Sequence, residues 1–173
     1  MWRRLFLVIG FAVISAGASA DDAAEQFVKV FQMYCVEPRG KADLIDKLVN
    51  IGGWVALPAD MVAAGASPDA VNSRGFELQR SGATYMLNYS DSGGCAILTK
   101  GPAAQAVQDV VQDVYKISGI SVSKEGFQAM KMLRFSPESW YAGAMIIIGY
   151  IPGGDVTVVN LAFVPKYRVD RIR

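Results

Sequence analysis

The chain contains no histidine. Imidazole is the side chain whose unperturbed pKa suits proton transfer near neutral pH, so Ser-His-Asp and Cys-His catalysis are excluded. Histidine-containing zinc sites and haem with a histidine axial ligand are excluded with them. Cysteine is scarce: Cys35 and Cys95 are the only two, too few for a four-cysteine metal site. The carboxylates are scattered, with no calcium-type Asp-x-Asn-x-Asp-Gly loop. No Gly-x-Gly-x-x-Gly or Gly-x-x-x-x-Gly-Lys-Ser/Thr segment opens a helix, so nothing supports a nucleotide cradle. No metal or cofactor is expected. Charge of one sign is missing too: 17 basic side chains face 16 acidic ones. No global field recruits nucleic acid or anionic lipid.

What is present begins with an address. "MWRRLFLVIGFAVISAGASA" has a positive start at Arg3 and Arg4 and an apolar run from Leu5 to Ile14. Ala18 and Ala20 occupy the small-residue positions of an Ala-x-Ala cleavage site. Residues 1–20 are therefore expected to be a cleaved secretory signal peptide, bacterial in style, and not a membrane anchor. Asp21 follows the cleavage site where a lipoprotein would have cysteine. A periplasmic or secreted location follows. The leader carries two of the basic residues, which leaves 15 against 16 and a formal net charge of −1. Residues 21–173 are expected to form a single domain. The basic tail "KYRVDRIR" reads as a solvated terminus.

In an exported chain two cysteines are most simply one disulfide. Redox-active thiols usually sit in Cys-x-x-Cys or an electropositive site, and neither is visible. Cys35 is expected to pair with Cys95, tying the end of a first helix to the start of a strand.

The segment "SDSGGC", residues 90–95, resembles the Asp-Ser-Gly-Gly around the nucleophile of chymotrypsin-like serine proteases. That resemblance implies Ser92 as attacking serine, but the missing histidine removes its base. A Ser-Lys dyad would be the remaining route, and Lys100 is the nearest lysine in sequence. The local chemistry favours a hairpin turn: Asp and Ser start turns, and two glycines supply positive φ.

Helical spacing places Ala24, Phe27, Val28, Phe31, Tyr34 and Cys35 on one face, behind an Asp22 cap and before Pro38. Lys41–Asn50 reads as a second helix with Leu44, Ile45 and Leu48 inward, stopped at Gly52-Gly53. Residues 54–73 show no clear period beyond one helical turn at 60–64. A long irregular stretch in a compact domain is often functional, so it is a candidate partner-facing region. Alternating strands follow around 76–79, 85–89 and 95–98. Pro102 is placed to open an amphipathic helix with Ala103, Val107, Val110, Val111 and Val114 inward. Strands are then expected at 117–123, 128–135, 140–151 and 156–164. "AGAMIIIGYI" lacks polar alternation and reads as a central strand buried on both faces, or nearly so. The sum is an α+β domain: two N-terminal helices, a largely antiparallel sheet of about six to seven strands and one further amphipathic helix, stapled by one disulfide.

The helix-borne Cys35, Gly53-Trp54 and strand-borne Cys95 together resemble small exported bacterial proteins without assigned activity. The resemblance covers roughly residues 27–100 and implies export and a structural disulfide, with no site residues.

Three functions compete. The first is a non-catalytic envelope protein acting on another envelope or secreted protein as accessory factor, inhibitor or immunity-type protein. The second is a binding module for an apolar small molecule or lipid. Its candidate binding residues are Trp54, Met61, Met130 and Met132, because adaptable methionines line such sites. The third is a carboxylate enzyme using Asp109 and Asp113, which the helix pattern instead assigns to a solvated face. The absence of a catalytic constellation favours a non-enzyme. No nucleic-acid partner and no membrane anchor are expected.

Overall fold

A computed structural model describes residues 20–66, 69–115, 117–125, 128–135, 141–150 and 158–166; within them, side chains at 20, 64, 65, 118–130 and 158–160 are not described. The expected leader lies outside these residues except for Ala20, and so do "SPES" (136–139) and "PGGD" (152–155), whose Ser, Pro, Gly and Asp read as turns between the later strands, and the tail beyond Lys166. The first helix, α1, is Ala20–Phe31. It runs into a π-helical turn, Gln32–Val36, closed by Glu37 N–H donating to Gln32 O at 3.0 Å. The wider turn shifts the helical phase, so three successive residues, Tyr34, Cys35 and Val36, are all buried. Helix α2 is Ala42–Ile51, β1 is Val55–Ala56 and α3 is Ala59–Gly65. Then come β2 (Arg74–Arg80), β3 (Ala83–Tyr89) and β4 (Cys95–Lys100), followed by α4 (Ala104–Val114). Strands β5 (Ile117–Glu125), β6 (Gln128–Phe135), β7 (Met145–Tyr150) and β8 (Val158–Val164) complete the order.

The strands form one eight-stranded sheet in the order β1-β2-β3-β4-β8-β7-β6-β5, and every pairing is antiparallel. The α+β class, the antiparallel sheet and the disulfide stand as expected. The additional strand is β1, a two-residue pair on the edge.

Helices α1 and α4 pack on each other over one face, with α4 against β7 and the π-turn against β4 and β8. Their seam is Phe27, Phe31, Val107 and Val111 against Leu87, Ile97, Leu161, Ile146 and Ile148, all fully buried. Burying each such side chain contributes about 1.5–3 kcal/mol. Tyr115, Phe135, Tyr141 and Phe163 extend this core with mostly edge-on rings, centroids 5.1–6.4 Å apart.

Several expectations change. Asp22 lies within α1 and does not cap it, since the helix is already formed at Ala20. Leu44 is 38 % exposed, because α2 turns Ile45 and Val49 to the core. Helix α4 starts after Pro102, because Ala103 is extended (φ −70°, ψ 138°). It buries Ala104, Val107 and Val111, and Val114 at its end is exposed. Strand β7 is nearly buried on both faces, as expected: Ile146 and Ile148 are buried on one, and on the other Met145 is buried while Ile147 and Gly149 are half-buried. Helices α1 and α4 cover one side of the sheet; of the other side only one end carries a helix among the described residues, α3.

Candidate functional site

That second side is the unusual surface of the molecule. Strand residues alternate between faces. A solvated face of an antiparallel sheet is normally polar. Here the register aligns half-buried Asn88, Ala96, Ala162, Ile147 and Met132 in one row across β3, β4, β8, β7 and β6. A neighbouring row begins with Met86 on β3 and Leu98 on β4, both half-buried. Ala96 and Ala162 are the smallest members, so the row forms a shallow trough.

Helix α3 roofs one end. Gly75 on β2, opposite Asn88, makes room for it: a Cβ there would meet Val62 Cγ2 at 2.7 Å and Leu57 Cδ1 at 3.3 Å. Beneath α3 lies a cleft of about 240 Å³ lined by Leu57, Met61, Val62, Met86, Ala96 and Leu98, among others. A second hollow of about 280 Å³ shares Asn88 and Ala96 with it and continues over Ala162 and Ile147 to Val164. Its near rim is the chain after α3, at Ala66, Ala70 and Ser73.

The "SDSGG" turn holds that rim. Asp91 N–H donates to Val71 O at 2.8 Å, and Val71 N–H donates to Ser92 Oγ at 3.3 Å. Asn72 Nδ2 and Arg74 Nη1 donate to the two Asp91 carboxylate oxygens at 2.8 and 2.7 Å. These bonds, Arg74's first, hold the Asp91 carboxyl below its ordinary value. Arg74 is raised in turn, first by its bond to Asp91. It also lies over the Tyr89 ring, 5.7 Å from the centroid, and 3.7 Å from Asp46. Tyr89 OH donates to Asp46 Oδ1 at 2.5 Å. Burial first, and this bond second, push the Tyr89 hydroxyl well above its ordinary value. Gly93 and Gly94 carry the positive φ (81° and 93°) that the turn demands. Ser92 Oγ lies 2.9 Å from Ser90 Oγ. Its neighbours are a hydroxyl and a backbone amide, and neither is a base that would activate it.

Cys35 and Cys95 form the expected disulfide, Cα atoms 5.3 Å apart, joining the π-turn to the first residue of β4. Of the four binding candidates, Met61 and Met132 border the open face: Met61 is 46 % exposed in the α3 cleft, and Met132 ends the row. Met130 pairs with Ser123 and Gly149 on β6, and its side chain lies outside the described ones. Trp54 is elsewhere. It is 9 % exposed in the helix-side core, edge-on to Tyr34 at 4.9 Å, and lines neither hollow. Asp109 and Asp113 are exposed on α4, where Gln105 Nε2 donates to Asp109 at 2.8 Å. Leu57, Val62, Ala96, Leu98, Ile147 and Ala162 were not singled out from the sequence. The signal for several of them was apolar residues on both parities of the strands around 86, 96–98 and 145–149.

Among the described residues no cluster of acidic or cysteine side chains is arranged to hold a metal ion, and no helix is long and apolar enough to cross a membrane. Among the described residues these features define a disulfide-stapled α+β fold with one helix-covered sheet face and one apolar face that only α3 roofs at one end. Comparison with protein-family models, curated proteins and solved structures finds no match for this chain.

Proposed function

We propose that this chain is an exported, non-catalytic binding protein that carries an apolar small molecule or lipid on the open face of its sheet. The observation behind this reading is the half-buried apolar row Ala96, Ala162, Ile147 and Met132, leading to the cleft beneath α3. A contiguous, partly solvent-facing apolar surface on a folded domain is ordinarily a place of binding. Methionines at its borders adapt to ligands without a fixed outline. The disulfide supports an oxidising compartment, and the leader-like start of the chain supports export to the periplasm or beyond. The test is organic extraction of the folded, purified protein followed by mass spectrometry. An apolar molecule in near-stoichiometric amount is expected, and Leu98→Glu, which places a charge on the cleft floor, is expected to lose it. A protein that yields nothing and retains no added apolar fluorophore overturns the ligand reading.

A second reading has its own support. The row continues as open surface well beyond the α3 cleft, across β8, β7 and β6, which suits docking of another envelope or secreted protein. An accessory, inhibitor or immunity-type role belongs here. Cross-linking from a cysteine introduced at Met132 in the producing cell is expected to trap that one partner. A ladder of random adducts counts against it.

A further inference from the structure

We infer that the cleft beneath α3 selects a compact, uncharged apolar molecule carrying one amide group, and that Asn88 is the residue that selects it. The inference rests on the apolar-ligand reading above and adds the ligand's class and its specificity-determining contact. One side chain is out of keeping with its surroundings. Among the described residues that line the cleft, Asn88 is the only one with a polar side chain. It lies half-buried on β3, between β2 and β4. Its partners in register are Gly75 and Ala96. One has no side chain and the other only a methyl, so neither can bond the amide. Among the described residues the Asn88 side chain has no hydrogen-bond partner. It borders both the cleft and the neighbouring hollow.

A carboxamide offers two N–H donors and a carbonyl acceptor side by side. A hydrocarbon laid over Asn88 would strip solvent from both ends and bond neither, which is costly. A ligand carbonyl accepts from Asn88 Nδ2 but leaves Oδ1 unmatched. A ligand amide also donates to Oδ1, so both ends are matched. Charge does not suit the site. None of the described residues lining the cleft or the hollow is charged, so an ionised group would leave water without a counter-ion. The charge adjoining the cleft in register is Glu77, opposite Met86. It accepts from Gln79 Nε2 at 2.9 Å and lies outside both linings. Size limits the rest of the ligand. The α3 roof closes one side, with Val62 and Leu57 seated against Gly75. At about 240 Å³ the cleft is smaller than the roughly 300–1,000 Å³ of pockets for drug-sized molecules, so it suits a short chain or a single ring.

The experiment loads the purified, disulfide-intact protein with an apolar fluorophore and displaces it with octanamide, methyl octanoate, octanoate or octylammonium. These share a chain and differ in the head group. Octanamide is expected to displace at the lowest concentration, about fivefold below methyl octanoate, as one further neutral hydrogen bond gives. Both ions are expected to need more than about tenfold the octanamide concentration. Asn88→Leu, similar in size and apolar, is expected to reverse the neutral pair, so that the ester outcompetes the amide. An asparagine that only supported the fold would weaken all four compounds alike and leave their order unchanged. Should the variant fail to fold, the ranking in the parent decides alone. An amide no better than the ester in the parent, or an order that Asn88→Leu leaves unchanged, overturns this inference while the apolar-ligand reading stands. A parent that retains no fluorophore overturns both.

Discussion

Tyr115 follows α4 with its hydroxyl buried and without a hydrogen-bond partner among the described residues. Its ring is well used, edge-on to Phe135 at 5.4 Å and to Tyr141 at 6.4 Å. Burial is the main cause holding its hydroxyl well above the ordinary tyrosine value, with Tyr141 and Glu37 adding to it. A buried donor that bonds nothing costs about 1–3 kcal/mol. Phenylalanine keeps the ring contacts and removes the orphan group. Tyr115→Phe is therefore expected to stabilise the domain by about 1 kcal/mol, read as a higher urea midpoint at unchanged slope. A loss of that size would show that the hydroxyl has a partner. The same scale separates Ser92 from the protease serine it resembles: its oxygen is occupied by the Val71 amide, and Asp91 beside it is bonded to Arg74 and Asn72. The sequence made the turn legible from Asp, Ser and two glycines. It did not show that the turn fastens residues 71–74, because that contact spans about twenty positions and follows no local period.

Among the elements, α3 depends on a single glycine. Val62 occupies the space a side chain at Gly75 would need, at 2.7 Å from an added Cβ. Valine is branched at Cβ and has little rotamer freedom with which to retreat. Gly75→Val is expected to lift α3 from the sheet, costing about 1–3 kcal/mol as overpacking does, and to open the α3 cleft. Faster amide exchange confined to residues 59–65, with β3 and β4 still protected, is the signature to measure; unchanged exchange there would refute the contact. The elements legible in advance were those with a clean period: α1, the β2–β4 meander, α4 and the later strands. Helix α3 showed only as one helical turn at 60–64, since "ALPADMVAAGASPDAV" is rich in alanine and has no longer period, and β1 did not show, since it pairs at only two positions. The run around Ile146–Ile148 lacks alternation because neither face of β7 is freely solvated: Ile146 and Ile148 are buried on one, and on the other Met145 is buried and Ile147 and Gly149 are half-buried. Among the described residues α3 is the one helix over that second face, so its half-buried apolar positions are also the candidate site. Trp54 shows the converse, since a tryptophan's identity does not say on which side of a sheet it will pack.

At the scale of the whole molecule, the disulfide closes 60 positions of chain and joins the helix layer to the sheet, contributing about 4 kcal/mol on the chain-entropy model. It does not titrate, and without histidine no side chain has an ordinary pKa near neutrality. The displaced groups lie at the two ends of the pH scale. Asp91 is lowered by its bonds to Arg74 and Asn72, so the fold favours its ionised form. That contribution is complete above the ordinary carboxylate value of 3.8 and is lost as pH falls through the lower folded value. Tyr85, Tyr89 and Tyr115 are raised, each mainly by burial, so the fold favours their neutral forms. Above the ordinary value of 10.0 the unfolded chain sheds these protons first, and stability declines as pH rises further. Arg74 is also raised and stays charged throughout this range. The urea midpoint is thus expected to be flat from about pH 5 to about pH 9, to fall on both sides, and to fall more on the alkaline side, where three groups act together. Tyr89→Phe loses the bond to Asp46 and so starts from a lower midpoint at neutrality. Its further decline between about pH 9 and pH 11 should nevertheless be shallower than in the parent, because one of the three protons is no longer there to lose. Parallel alkaline limbs in parent and variant would mean that Tyr89 titrates in the fold as it does in the unfolded chain.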